Sequence, residues 1–189
     1  MKLYVVTTNP NKVREVAAYF GQIIEVDHII LDCPEFRHDD VGEIAREKAR
    51  FAYEHVQKPL IVDDTAFSIE ALHGFPGPYA AYVLNTIGLE GILRLMEGID
   101  NRNAFFETAI AFAHEGGIEL FRGRIDGLVV EPRGTEGFGY DPIFEVENLT
   151  LAERSLEQKT RISHRTRALE AFKEWFESEY YRIPVNANC

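Results

Sequence analysis

The chain has 189 residues, 46% of them hydrophobic and 27% charged, with a formal net charge of −11. That balance belongs to folded globular chains and excludes the disordered class. The acidic surface speaks against nucleic acid as a partner, because such binding needs extended basic area, and no apolar run approaches the roughly 18 residues of a membrane span.

The length suits a single unit over residues 1–189, made of two closely joined lobes. No signal-peptide pattern precedes the first strand, so the expected location is cytoplasmic. Cys33 and Cys189 are too few for a disulfide framework or a cysteine zinc site.

Residues 2 to 8 are apolar and rich in strand formers, and Asn9-Pro10 then supplies a cap and a first-turn proline, which predicts strand, turn and helix. Val13, Val16, Ala17 and Phe20 recur at helical spacing, and Gly21 ends the run. A second strand is predicted over Ile23 to Ile30. Val41, Ile44, Ala45, Ala49, Ala52 and Val56 form the next helical stripe, capped by Asp39 or Asp40 and broken at Lys58-Pro59. Leu60 to Val62 then reads as a short buried strand that delivers Asp63, Asp64 and Thr65 at its C-terminal end, where α/β sheets gather ligands.

Gly74 to Tyr79 is a rigid loop, followed by two helical segments, the second over Leu89 to Met96. Residues 104 to 113 and 118 to 131 flank the turn Glu115-Gly116-Gly117, which predicts an antiparallel hairpin. Glycines 134, 137 and 139 mark a further loop. A last helix starts near Ser163 with Leu169, Phe172, Trp175 and Phe176 facing a core, and residues 182–189 read as a frayed tail.

Four segments carry groups suited to chemistry. Thr7, Thr8, Asn9, Pro10, Asn11 and Lys12 join a strand end to a helix start bearing a lysine, a cradle for phosphate oxygens, although the P-loop glycine spacing is absent and a simply capped helix reads the same way. Glu35 beside Asp63 and Asp64 offers the oxygen ligands that magnesium prefers; solvated loop acids are the plainer reading. Phe138, Gly139, Tyr140 and Asp141 place aromatic faces and a permissive backbone in one loop, able to stack on a base or simply to close a turn. Lys159, Arg161, His164, Arg165 and Arg167 crowd into nine residues at a helix start, a poor design against the helix dipole unless an anion is present.

Together these segments resemble the inosine triphosphate pyrophosphatase, or Ham1, family over almost the whole chain. The motifs stand in the family's order: Thr7-x-Asn9-x-x-Lys12, Pro34-Glu35, Asp63-Asp64-Thr65, Gly74-Phe75-Pro76-Gly77-x-Tyr79, Gly137 to Asp141 with Pro142 and Phe144, and Lys159 ahead of Ile162-Ser163-His164-Arg165. Thr8 and Ala66 stand where the family has glycine, so a positive φ at either position would be strained. The segment from Thr150 to Glu157 also departs from the family's pattern.

The resemblance implies a mixed α/β fold, elongated and two-lobed, with a mixed sheet flanked by helices, a nucleotide cleft between the lobes and a homodimer. It implies hydrolysis of ITP, dITP and XTP to the monophosphate and pyrophosphate, with Mg2+ held by Glu35 and Asp64 and with Asp64 also orienting the attacking water. Thr7 to Lys12 would hold the triphosphate, Thr65 would touch substrate and Lys159 would face phosphate charge. Phe138 to Asp141, His164 and Arg165 would surround the base, with Arg165 donating to its O6. A Maf-type pyrophosphatase for pyrimidine or modified nucleotides, or a nucleotide-binding module without catalysis, are the competing readings.

Overall fold

The computed structural model describes residues 2–21 and 23–180, so the expected frayed tail lies outside the described residues. The chain runs β1 (Lys2–Val6), α1 (Pro10–Phe20), β2 (Glu25–Ile29), α2 (Val41–Val56), β3 (Leu60–Ile69), β4 (Pro76–Gly77), α3 (Ala80–Thr86) and α4 (Gly88–Leu95). It continues with β5 (Asn103–His114), β6 (Gly117–Val129), β7 (Phe144–Val146), β8 (Leu149–Thr150), α5 (Leu156–Thr160) and α6 (His164–Trp175). The strands form one mixed sheet in the order β2-β1-β3-β5-β6-β7-β8, with β4 added on β3. β1 pairs in parallel with β2 and β3, and the remaining pairs are antiparallel. Among the described residues no helix is long and apolar enough to cross a membrane.

The expected caps form. Asn9 accepts from the Asn11 amide at α1, Asp40 from Gly42 at α2 and Ser163 from Thr166 at α6, so each helix start satisfies one of its free N–H groups. Two local readings are corrected. Ala17 does not join the core face of α1 and is exposed, while Glu15 is buried, because that face meets a pair of buried cations rather than only apolar side chains. The strand that begins at Leu60 also runs on to Ile69, so Asp63, Asp64 and Thr65 lie mid-strand and not at its end. β5 pairs with β3 along its whole length, from Leu60 opposite Ala113 to Ile69 opposite Ala104, and this ladder keeps the backbone extended.

On its other edge β3 is paired only in pieces. β1 reaches Leu60 and Ile61, and β4 reaches Phe67 and Ser68, so residues 62–66 lack a neighbour strand there. The core divides at the same place. Ile61 packs with α1 and α6 residues on one face of the sheet, and Leu60 and Val62 with α2 residues on the other, while Phe67 and Ile69 belong to a separate cluster with residues of α3, α4 and β7. The stretch between them forms the floor of a cleft.

Candidate active site

The cleft has a volume of about 950 Å³ and is lined from opposite sides by the 7–12 turn, the 31–37 loop, Lys48 on α2, the middle of β3, the 138–141 loop and the start of α6. Where β1 stops, the carbonyl of Asp63 has no strand partner. Lys12 Nζ donates to it at 2.8 Å and lies 3.4 Å from Asp63 Oδ2, which ties the first turn of α1 to the floor. No acidic residue sits in that first turn, so the positive end of the α1 dipole is left open to an anion.

Lys48 stands between two carboxylates, donating to Asp64 Oδ1 at 3.3 Å and to Glu35 Oε2 at 3.5 Å. Burial opposes its charge, but Asp64 and Glu35 outweigh burial and hold the ammonium above the ordinary lysine range. Asp64 is pushed the other way. Burial raises its carboxyl above the usual carboxylate range against the pull of Lys12 and Lys48, and Asp63 adds to the rise, so Asp64 is a better proton acceptor than a free aspartate.

At the opposite end the charges are sealed. Arg165 sends Nε and Nη2 to Asp63 Oδ2 at 3.0 and 2.8 Å, Nη2 also to Thr65 Oγ1 at 3.1 Å, and Nη1 to Glu15. Four of its five N–H donors are therefore committed within the protein. Lys159 bridges Glu15 at 2.7 Å and Asp141 at 2.6 Å and lies 4.6 Å from the centre of the Phe138 ring. Burial works against ionisation of Asp63 and Glu15, but Arg165 with Lys12 at the first and Arg165 with Lys159 at the second hold both carboxyls below their usual range.

The 138–141 loop is pinned by the same carboxylate. Asp141 Oδ2 accepts from the Phe138 amide at 2.7 Å, and a Cβ on Gly137, whose φ is +74°, would meet that oxygen at 2.1 Å. Tyr140 is buried, with its hydroxyl donating to the Ala80 carbonyl at 2.8 Å. His164 stacks on Phe106 at 4.8 Å and 21° and bonds Thr108 through Nδ1. Burial first, then Arg165, Lys159 and Lys12, push its imidazole well below the usual histidine range, so it is neutral.

The Ham1 family model matches residues 3–175. The dITP/XTP pyrophosphatase of Methanopyrus kandleri is 49% identical over 94% of this chain and 97% of its own length. The inosine triphosphate pyrophosphatase of Aspergillus fumigatus is 40% identical over 94% and 95%. The chain belongs to the Ham1 family. A Ham1 protein from Staphylococcus aureus superposes with a TM-score of 0.82 at 28% identity, covering 95% of this chain and all of the other.

The Ham1 resemblance is thus borne out, and the fold leaves its two glycine replacements unstrained. Neither Thr8 nor Ala66 is among the described non-glycine residues with positive φ, which are Gln57, His73, Glu147 and Asn148. Of the residues expected at the site, Thr7, Thr8, Asn9, Lys12, Glu35, Asp64, Thr65, Phe138, Gly139, Tyr140, Asp141, Lys159, His164 and Arg165 all line the cleft. Pro10 and Asn11 do not. Proline has no N–H to offer, and the Asn11 amide is spent on Asn9 Oδ1 at 2.9 Å.

Three residues at or behind the cleft escape the Ham1 motifs as quoted. Glu15 and Lys48 sit inside amphipathic helices, where a charged residue reads as solvated surface, and Thr108 sits in a strand of good strand formers. Only the long-range ion pairs and hydrogen bonds distinguish them.

The lining is electrically balanced. Lys12, Arg37, Lys48, Lys159 and Arg165 face Asp32, Glu35, Asp63, Asp64 and Asp141, five of each sign among the described residues. A triphosphate entering such a lining needs further positive charge beside it. The donor set fits a hard divalent cation: Glu35 and Asp64 already share a cation in Lys48, and Asp63 Oδ1 is buried with no hydrogen-bond partner. No group of three or more His, Cys, Asp or Glu suited to a metal occurs among the described residues, so water and substrate oxygens would complete the shell.

Proposed function

We infer that this chain is a hydrolase that converts ITP, dITP and XTP to the nucleoside monophosphate and pyrophosphate. One observation carries the reading: a single cleft holds an open lysine and carboxylate group at one end and an aromatic, neutral-histidine wall at the other. The activities for which the two relatives above are named agree with it.

Water adds to the α-phosphorus, the α–β anhydride bond breaks, and its electron pair leaves with pyrophosphate. Asp64 orients that water and accepts its proton. Lys12 neutralises the charge that gathers on the leaving pyrophosphate, and Lys48 helps to hold the bound triphosphate. Glu35 and Asp64 would hold magnesium, with Asp63 supporting from behind; bound there, the ion supplies positive charge to phosphate oxygens and acidifies water. A metal-bound carboxylate is a weak base, so holding the water in line contributes more than proton abstraction.

Phe106 with His164 and Phe138 would enclose the base. Hypoxanthine and xanthine present an acceptor oxygen at C6 where adenine presents an amine donor, so donors in the cleft wall favour the first two. Each mismatched buried donor costs about 1–3 kcal/mol. Arg165 has one N–H left for this purpose, fewer than the free guanidinium expected from sequence.

A homodimer is the proposed assembly: the segment from Phe75 to Leu95 leaves Phe75, Tyr79, Tyr82, Ile87 and Leu95 exposed, and apolar groups of that size are commonly covered by a second subunit. A cytoplasmic enzyme acting on free nucleotides, without nucleic acid or membrane as partner, accords with the net charge of −11. The deciding experiment incubates the protein and magnesium with ITP, XTP, dITP, GTP, ATP and dTTP and identifies the products. Pyrophosphate and monophosphate from the first three are expected. Orthophosphate release, or binding without turnover, overturns the reading.

A further inference from the structure

Thr108 is fully buried at the centre of β5, directly opposite Thr65 in the β3–β5 register, and its hydroxyl has two partners. Oγ1 lies 2.8 Å from Thr65 Oγ1 and 2.5 Å from His164 Nδ1. Thr65 in turn accepts from Arg165 Nη2 at 3.1 Å. A continuous chain of hydrogen bonds therefore runs from a guanidinium, through two threonines, to one nitrogen of a neutral imidazole.

The position of His164 over Thr108 is built in. Gly123 faces Thr108 across the β5–β6 ladder, and a Cβ there would meet the His164 carbonyl at 2.1 Å and the Ala168 amide at 2.4 Å. Glycine lets the first turn of α6 rest on the backbone of β6, which brings the imidazole onto the threonine hydroxyl. The ring is held from the side by Phe106. Among the described residues Nε2 has no hydrogen-bond partner, and His164 belongs to the cleft wall.

The direction of the chain decides which imidazole nitrogen carries the proton. A guanidinium can only donate, so Thr65 Oγ1 accepts a hydrogen bond from Arg165. With Thr65 donating to Thr108, and Thr108 donating to Nδ1, every link polarises the next in one sense. In the reverse arrangement Thr65 Oγ1 would accept from both Arg165 and Thr108 through its two lone pairs, but the Thr65 proton would then have no acceptor among the described residues. The first arrangement makes Nδ1 an acceptor and leaves the proton on Nε2, facing the cleft.

We propose that Thr108 is a positioning residue for base selection: through its hydroxyl, anchored by Thr65 and Arg165, it holds His164 as the Nε2–H tautomer, a donor to the C6 oxygen of a 6-oxopurine. The same nitrogen as an acceptor would suit the 6-amino group of adenine. One hidden hydroxyl thus sets the sign of a hydrogen bond that the base must complement. This proposal rests on the triphosphate reading given above for its substrate, but its tautomer is a property of the free protein.

The test has two arms. Nitrogen-15 NMR of histidine-labelled full-length protein without nucleotide, with His164 assigned by its loss in His164→Gln, reads the tautomer directly. Nε2–H is expected, and Nδ1–H overturns the proposal whether or not any variant folds. The second arm compares Thr108→Val and Thr108→Ser with the unmodified protein on ITP, ATP and purine riboside triphosphate, which lacks a C6 substituent. Thr108→Val should lower the ratio of kcat/KM for ITP over ATP about tenfold, chiefly through KM, leave purine riboside triphosphate nearly unchanged, and be reversed by Thr108→Ser. An equal loss on all three substrates, or an unchanged ratio, overturns the proposal. Failure of the underlying function is a separate result: the unmodified protein would release no pyrophosphate from any triphosphate, while the tautomer would still be read.

Discussion

At the end of the cleft formed by Glu35, Lys48 and Asp64, Glu35 is open to solvent and Lys48 and Asp64 keep 15% and 14% of their side chains exposed, whereas Arg165, Lys159, Glu15 and Asp63 at the other end are enclosed by protein. The Glu35 side chain is 89% exposed and that of Arg165 is 2% exposed. Both ends pair cations with carboxylates, yet the environment gives the pairs different work. An open pair can exchange its partner for a phosphate or a metal at small cost, because water screens each charge when the pair separates. A sealed pair cannot, since separating it strands an ion in a medium that solvates it poorly. The crowded cations from Lys159 to Arg167 look from sequence like a landing site for an external anion; three of them have instead found the chain's own carboxylates, Lys159 and Arg165 in the interior and Arg161 at the surface.

The sharpest way to break that comparison is to remove one partner from each end. Arg165→Ala leaves Asp63 and Glu15 buried without their main counter-ion, and should cost about 3–5 kcal/mol, or roughly 10 °C in melting temperature for a domain of this size. Glu35→Gln should move the melting temperature by no more than about a degree or two. Thermal denaturation of the two variants side by side checks this. Equal shifts would mean that the enclosed network is no more structural than the open one.

Function should divide the other way. Asp64→Asn keeps the shape of the open end but removes its proton acceptor, and turnover of ITP in magnesium should fall a hundredfold or more while the fold is retained. Near-normal turnover would take Asp64 out of the chemistry. Lys48→Met should act more mildly, raising KM for the triphosphate about tenfold, since Lys12 and the α1 N-terminus remain to hold phosphate. Steady-state kinetics that show kcat falling with KM unchanged would place Lys48 in the transition state instead.

What could be read from sequence follows the range of the interaction. Asn9, Asp40 and Ser163 act on neighbours two or three residues away, so caps and helix starts were legible at once. The helical stripe from Val41 to Val56 was equally plain, because its period survives without knowing what it packs on. The strand from Leu60 to Ile69 was underestimated, since its second half is kept extended by pairing with a strand some forty residues further along. At the site, the motif residues were found but their states were not. Nothing local distinguishes Lys159, buried on two carboxylates, from Arg161, two residues on, which pairs with Glu157 on the surface. Glu15 and Thr108 were invisible for the same reason: their partners lie between 43 and 150 positions away.

The smallest predicted effect concerns an enclosed ring that carries no charge, His164. His164 stays neutral in the folded protein, held well below its ordinary range by burial and by Arg165, Lys159 and Lys12, whereas in the unfolded chain it takes up a proton near pH 6.5. Below that pH the unfolded state binds one more proton than the folded state at this position, so unfolding free energy falls as pH falls, by up to about 1.4 kcal/mol per pH unit. Two of the neighbouring carboxylates act in a separate window. Asp63 and Glu15 are depressed, so their contribution is fully present above the unfolded carboxylate range near pH 4 and is lost only as pH drops below it. His114, also lowered by burial, adds a parallel slope, while Asp64 and Asp141, raised by burial, oppose it as pH falls, so the difference between the unmodified protein and His164→Gln isolates the histidine. Urea unfolding at pH 7, 6 and 5 should show stability declining in the unmodified protein and a shallower decline, by about one proton, in His164→Gln. The same slope in both proteins would mean that His164 is protonated while folded, and the enclosed end of the cleft would then carry a charge on the very ring assigned to the base.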